Sequence, residues 1–496
     1  MKTYLKRSIL TSLAIMSVLN FTSCSEFLEE EVYTQYDPDS FLQDQEGVDA
    51  LLTGVYASTE ISGGDARNIY YALSEFPTDV SFETDGGFAS QVKPIQEFNL
   101  NPSIPFISGA YSKFYAAIAR ANNVLLVTSG LQGIDADVVE KINAEARFLR
   151  AYSYYILHNF FGTTPIIEIP AGATIDEIET IGKETPRPTE ADYRAYVEAD
   201  LIFAATTLDP GTLSSRANKG SAYALLTKFY LSNREWQKAA DAAAEVLKLD
   251  YELYNDYTTL FSIQGENNKE YIFRTECKVG SNQVNQYMPH AFPPRFRVQP
   301  NWVNFAAQFR TYTAFYETFE EQDERRKLFL TEYIPDNRTE PVQLVRDNNG
   351  NPLNNARSFK YTPDPDAQGV NHGNDIPVIR LADIILARAE ALNEVNNGPT
   401  QEAIDLINRV RNRAKASPVT LNQFATMDAL NDFILAERAR ELYTEGILRR
   451  EDLIRHDKYI SRAVERGFPA QPFHVLYPIP QDQLDSNPNL AQNPGY

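Results

Sequence analysis

KGSAYALLTKFYLSNREWQKAADAAAEVLKL, residues 219–249, is the stretch that decides the fold class. Tyr223, Leu226 and Tyr230 recur at steps of three and four residues and lay an apolar stripe along one helix. Asn233 marks a turn. Trp236, Ala239, Ala243 and Val246 then form the facing stripe of a second helix, with Trp236 at a position that packs helix on helix. The small side chain of Ala239 lets the two helices approach closely. The spacing of Tyr223, Leu226, Tyr230 and Ala239 fits a tetratricopeptide-type pair. Such a pair cannot bury its inner face alone, so it must stack on further pairs.

The same pattern recurs outward from this point. Residues 138–160 place Ile142, Ala146, Leu149, Tyr152, Ile156 and Phe160 on one helix face, which Gly162 and Pro165 end. A second pair is expected over 376–415. Leu381, Ile384, Ile385, Ala389 and Leu392 pattern its first helix, and Asn396 to Pro399 break the chain. Ala403, Ile407 and Val410 pattern its second helix, and residues 426–446 add one more, with Leu430, Phe433, Ile434, Leu442 and Tyr443 inward. The expected fold is mostly α, a tetratricopeptide-like scaffold of helical pairs with long irregular loops and a few short β-hairpins. Helical repeats are expected at about 41–60, 108–250 and 376–460, with loop-rich, ligand-facing segments at about 60–107 and 250–375. The second of these holds the strand signals, YIFRTE (271–276) and VQLVR before DNNGN (342–351), a hairpin signature.

The N-terminus carries an address. Lys2, Lys6 and Arg7 precede an apolar run from Ile9 to Phe21, and Thr22 and Ser23 lead into Cys24. This reads as a lipoprotein signal peptide over 1–23, with Cys24 the lipidated new N-terminus. Residues 24–40 read as an acidic tether and 41–496 as a single domain. Removing residues 1–23 takes away three positive charges and moves the net charge from −21 to −24. That balance argues against nucleic acid and against electrostatic docking on anionic lipid. The only other cysteine is Cys277, which reads as a buried small side chain, so no disulfide framework is expected.

Several blocks together resemble the SusD/RagB nutrient-uptake lipoproteins. They are Cys24-Ser25-Glu26-Phe27-Leu28, AEARFLRAYSYYILHNFFGTTPII (144–167), GSAYALLTKFYL (220–231), DIPVIRLADIILARAEALNE (375–394), AIDLINRVRNRA (403–414), ERARELYTEG (437–446) and YPIPQDQLDSNPNLAQNPGY (477–496). After Gly446 the run Ile447–Arg455 departs from the family's usual R-W or R-x-F before D-L, and the chain has only two tryptophans. The resemblance implies a SusD-like fold and a lipid-anchored protein of the outer membrane, exposed on the cell surface. It implies a lid on a SusC-type TonB-dependent transporter that captures oligosaccharide or, alternatively, peptide. It implies that the tetratricopeptide-like helices look toward the transporter. Glu26 and Glu29 to Glu31 resemble surface-export signals.

No catalytic motif stands out. G-x-S-x-G, H-E-x-x-H and a glycine-rich phosphate loop are absent from the sequence, and the five histidines show no metal-ligand spacing. No cofactor or metal is expected, and His158 reads as a packed histidine. Asp364 and Asp366, with nearby carbonyls, offer oxygens to a calcium ion, but their spacing is not that of an EF-hand and they read as solvated turn residues. Glu437, Arg438, Arg440, Glu441 and Glu445 read as helix-locking ion pairs, Glu437–Arg440 and Arg438–Glu441, with repulsion between Glu441 and Glu445. A secreted glycosidase would need a carboxylate pair in a cleft, and a structural adaptor would lack an aromatic pocket.

Sugar rings stack on aromatic faces, and their hydroxyls take polar rim residues. Residues 287–302 concentrate that chemistry in Tyr287, Phe292, Phe296, Arg297 and Trp302, stiffened by Pro293, Pro294 and Pro300. Residues 76–88 add Asp79, Phe82 and Phe88. These eight are the candidate ligand-binding residues, chosen on composition and loop placement.

Overall fold

The computed structural model describes residues 44–59, 64–84, 86–87, 89–211, 215–306, 308–446 and 448–496, with the backbone alone over 64–68. The signal peptide, Cys24, the acidic tether and Phe88 lie outside the described residues. Val48–Tyr496 form one compact unit. Its helices in chain order are α1 (Gln45–Thr59), α2 (Gly64–Ser74), α3 (Ala89–Gln96), α4 (Pro105–Gly130), α5 (Ala136–Phe161), α6 (Ile175–Glu184), α7 (Glu190–Thr207), α8 (Lys219–Ser232), α9 (Trp236–Leu247), α10 (Tyr287–Ala291), α11 (Thr313–Tyr316), α12 (Leu381–Val395), α13 (Gln401–Arg413), α14 (Met427–Leu442), α15 (Leu448–Arg455), α16 (Tyr459–Glu465) and α17 (Gln481–Ser486).

The deciding stretch forms α8 and α9 as read. Asn218 opens α8 with a reciprocal cap: its side chain accepts the Ser221 N–H at 3.0 Å, and the Ser221 hydroxyl accepts the Asn218 N–H at 2.8 Å. Asp135 caps α5 by accepting the Asp137 N–H at 2.8 Å, and Gly162 ends it at φ 73°, a conformation that suits glycine. The helices pack in an unbroken series: α4 on α5, α5 on α7, α7 on α8, α8 on α9, α9 on α12, then α12 on α13 and α14. Pairs far apart in sequence are thus neighbours in one stack, whose interior is the main apolar core.

The strands are β1 (Ser81–Glu83), β2 (Tyr271–Thr275), β3 (Phe309–Thr311), β4 (Phe329–Leu330), β5 (Glu332–Tyr333), β6 (Val342–Gln343), β7 (Arg357–Ser358) and β8 (Ile376–Arg380). They form four antiparallel two-stranded ladders, β1–β3, β2–β8, β4–β7 and β5–β6. The hairpin signature closes one bridge, Arg346 with Pro352, flanked by bonds from the Asp347 N–H to Asn351 O and from the Leu353 N–H to Val345 O, and β6 pairs back to β5. Two expectations need correction. Residues 376–380 are a strand feeding α12, not its first turn. The loop-rich segment 60–107 contains α2 and α3.

The helical side is locked by buried charge. Arg380, at the end of β8, reaches Glu270 at 2.7 Å, Glu441 at 2.6 Å and Glu445 at 2.7 Å. Arg325 binds Asp323 at 2.8 Å, Glu437 at 2.7 Å and Glu441 at 3.0 Å. Glu437–Arg440 forms as read, at 2.7 Å. Arg438 does not pair with Glu441. Its guanidinium turns to Asp383 and Asp452, each at 2.8 Å, and joins α14 to α12 and α15. The repulsion between Glu441 and Glu445 is cancelled by Arg380, which binds both. Burial pushes the Glu437 carboxyl up, but Arg325, Arg440 and Arg411 outweigh it and hold it at about 2.

Candidate functional site

The β1–β3 ladder is what brings the two aromatic stretches together. Ser81 stands opposite Thr311, Phe82 opposite Arg310 and Glu83 opposite Phe309. Beneath the ladder lies a buried floor of rings. Phe76 and Phe309 are 4.9 Å apart between centroids, Tyr71 and Tyr287 5.2 Å, and His290 lies nearly parallel to Phe309 at 4.7 Å. Tyr287 is only 4% exposed, so it is part of this floor and cannot offer a face to a ligand. His290 bonds to Gln308 through Nδ1. Burial lowers its pKa to about 4, against the opposing effect of Gln308, which keeps the ring neutral. Above His290, at 4.8 Å, is Phe305, 42% exposed. Phe305 was missed in the sequence, where it is one phenylalanine past the proline-stiffened stretch.

A second stack runs alongside. The Phe292 ring is parallel to Trp302 at 5.8 Å and to Phe296 at 5.4 Å. Phe292 is 0% exposed, which makes it the packing partner of the other two and not a ligand contact. Trp302 and Phe296 are half-buried, and Arg297 is exposed. The Trp302 Nε1 is buried with no hydrogen-bond partner among the described residues.

Backbone bonds pin this segment. The Phe305 N–H donates to Pro289 O at 2.9 Å, the Val303 N–H to Gly369 O at 2.9 Å, and the Gly369 N–H to Asn301 O at 2.7 Å. The Tyr333 hydroxyl donates to Pro294 O at 2.8 Å. Arg295 (φ 56°) and Ala306 (φ 59°) hold left-handed conformations that cost energy in an L-residue. A loop fixed in this way loses little further entropy when it binds.

The other candidates divide. Phe82 is half-buried and stacks on Tyr312 at 4.5 Å, with the Arg466 guanidinium 5.7 Å from the Tyr312 ring. Asp79 is committed elsewhere. Its two oxygens take a bidentate pair from Arg449, at 2.8 Å each, and a further bond from Arg462. Burial opposes its ionisation, but the two arginines hold the carboxyl well below the usual range. It braces the segment leading into β1 against α15 and α16.

Several other titratable groups have partners within the protein. His158 Nε2 lies 2.9 Å from Glu190, and its ring stacks on Tyr193. Cys277 is buried, and its N–H donates to Asp375 at 2.8 Å. Asp364 accepts the N–H groups of Asp366 and Gly373, so it braces its own turn from a buried position. Burial raises Glu266 to about 7 and Asp375 to about 6, but Asp375 is bound to Arg274 at 2.7 Å and Glu266 accepts the Asp375 N–H at 3.2 Å. This pair closes the end of the β2–β8 ladder. Among the described residues, no group of three His, Cys, Asp or Glu is placed to hold a metal ion, and no helix is long and apolar enough to cross a membrane.

Comparison with known proteins fits this architecture end to end. The model described as "SusD family" matches residues 250–496, and the one described as "Starch-binding associating with outer membrane" matches residues 26–231. The chain belongs to the SusD-like family. It is similar to SusD-like protein P2 of Formosa agariphila, 28% identical over 97% of this chain and 98% of that one. It is also similar to the starch-binding protein SusD of Bacteroides thetaiotaomicron, 24% identical over the full length of both. Among solved structures, a laminarin-binding SusD-like protein superposes with a TM-score of 0.75 at 25% identity, covering 92% of this chain and all of that one. A SusD homologue from B. thetaiotaomicron superposes at 0.78 with 21% identity, over 93% of this chain and 99% of that one. The SusD-like fold and family membership implied by the sequence blocks are therefore established.

Proposed function

We propose that this SusD-like protein is a non-catalytic, glycan-binding lipoprotein of the bacterial cell surface. In this reading it is held in the outer membrane by acyl chains on Cys24. It captures oligosaccharide on the Phe82, Tyr312, Phe305 and Trp302 face, with Arg297 at the rim, and passes it to a SusC-type TonB-dependent transporter. The observation that carries this reading is the β1–β3 ladder. It joins the segment after Phe76 to the segment after Phe305, so that two remote aromatic stretches become neighbours, in a chain similar to a starch-binding and a laminarin-binding protein. The neutral state of His290 supports it, because the floor under Phe305 then carries no charge that would have to be desolvated as a ring closes over it.

The test is calorimetric titration of the protein lacking residues 1–24 with laminarihexaose and with maltohexaose, followed by chromatography of the recovered sugar. One of the two should bind and come back intact. Phe305→Ala should weaken that binding by about 1–3 kcal/mol, by analogy with base–aromatic stacking. Full affinity in Phe305→Ala would remove the face from consideration. Cleavage that survives repurification would point to a glycosidase instead.

A further inference from the structure

Trp236 packs against the helical core as expected, and its half-buried ring also lines a cleft of about 470 Å³. The cleft lies on the helical side, remote in sequence from the loop face. Its walls come from the α8–α9 turn, the end of α12, the start of α14 and the link between α15 and α16. The volume falls within the range of roughly 300–1,000 Å³ typical of small-molecule sites.

The lining is polar and mixed in sign. Glu394, Asp428, Asn431, Arg455 and His456 line it together with Trp236. Ion pairs fix the rim: Arg234 with Asp457 at 2.8 Å, and Lys458 with Asp432. Acidic and basic groups are nearly balanced, so neither a cation nor an anion is favoured. A hydroxyl, which both donates and accepts, suits such a lining, and an indole face suits the C–H surface of a sugar.

One buried group is left over. The Arg455 side chain is 1% exposed, and its Nε and Nη2 are used by Glu390 and Asp452 at 2.6–2.8 Å. Its Nη1 is buried and has no hydrogen-bond partner among the described residues. A buried guanidinium donor without an acceptor is costly, and this one belongs to a residue that lines the cleft.

We propose that this cleft is a second carbohydrate site, which takes a neutral sugar ring face-on to Trp236 with its hydroxyls on Asp428 and Asn431. It is separate from the loop face and does not depend on that face binding anything.

The two tryptophans allow each site to be read alone. In the Trp302→Phe full-length protein, Trp236 is the sole indole, and in Trp236→Phe, Trp302 is. Each protein is titrated with maltohexaose and laminarihexaose, following emission wavelength and acrylamide quenching. At least one glycan should shift Trp236 emission saturably and protect it from acrylamide. Asp428→Asn, at an exposed position, should weaken that response about tenfold, as loss of a charged hydrogen bond does. If Trp302 responds and Trp236 does not, the second site is refuted and the loop face stands. If neither responds, both sites fall for these glycans. If Trp236 is protected only when the transporter is added, the cleft is a protein contact and the proposal is overturned.

Discussion

The helical frame and the loop face are held together by different physics. The frame is crossed by buried arginines and carboxylates that bind two or three partners each, as Arg380 and Arg325 do. The face around 287–310 is held by stacked rings and by backbone bonds to its prolines and to Gly369. Charge networks are demanding in geometry and lose heavily when one member goes. Ring stacks tolerate replacement, because dispersion and burial are not directional. A family that keeps one frame while varying what its loops bind would be served by this division.

The largest expected effect follows from the frame. Glu441→Ala removes a carboxylate shared by Arg325, Arg380 and Arg413, leaving positive charge buried without compensation. The loss should be about 3–5 kcal/mol by denaturant unfolding. A loss under about 1 kcal/mol would mean that the network reorganises easily, and the contrast with the loop face would collapse.

The tryptophans sharpen the contrast at a smaller scale. Each is half-buried, so neither should reach the 3–5 kcal/mol of a fully buried Trp→Ala change. Trp302→Ala exposes part of the Phe292 ring, and roughly 2–3 kcal/mol should go together with glycan affinity at the loop face. Trp236→Ala, at the cleft wall, should cost less stability and leave loop-face affinity unchanged. Thermal melts paired with titrations decide it, and equal losses of affinity in both variants would erase the distinction between the two regions.

The sequence made the frame legible because its signal is local. The stripes on α8 and α9, the helix over 136–161 and the strand at 271–275 all follow from spacing within a few residues. The loop face was half legible. Composition located the aromatic stretches, but the ladder joining 81–83 to 309–311 is three residues long and far apart in sequence, and no periodicity announces it. Periodicity also shows a face without showing what covers it. Tyr287 and Phe292 were misplaced for that reason, since both are buried, while Trp236 packs on the core as read and also borders a cleft. Arg438 found Asp383 and Asp452 instead of Glu441 because tertiary partners outcompete an i,i+3 neighbour when all are buried.

Acid separates the two regions most finely. His290 falls to about 4 through burial, below its unfolded value of about 6.5. Below pH 6.5 the unfolded chain takes up a proton that the folded chain refuses, so this group's stabilisation, complete above pH 6.5, is lost as the pH falls toward 4. The frame carboxylates behave otherwise: Glu437, at about 2, keeps its contribution until far lower pH. Between pH 6.5 and 5 the histidine contribution therefore changes while that of Glu437 stays nearly constant. Glu266 and Asp375, raised to about 7 and 6, gain stability as pH falls and act against the histidines, so the wild type alone is ambiguous. The difference between wild type and His290→Phe cancels every group but one. A phenylalanine keeps the stack on Phe309 and Phe305 and cannot titrate. Relative to His290→Phe, the wild type should lose on the order of 1.4 kcal/mol per pH unit below 6.5, or about 2 kcal/mol by pH 5. Urea unfolding of both proteins at pH 7, 6 and 5 measures it. Parallel pH curves would show that His290 accepts its proton in the folded state, and the floor beneath Phe305 would then be neither dry nor neutral.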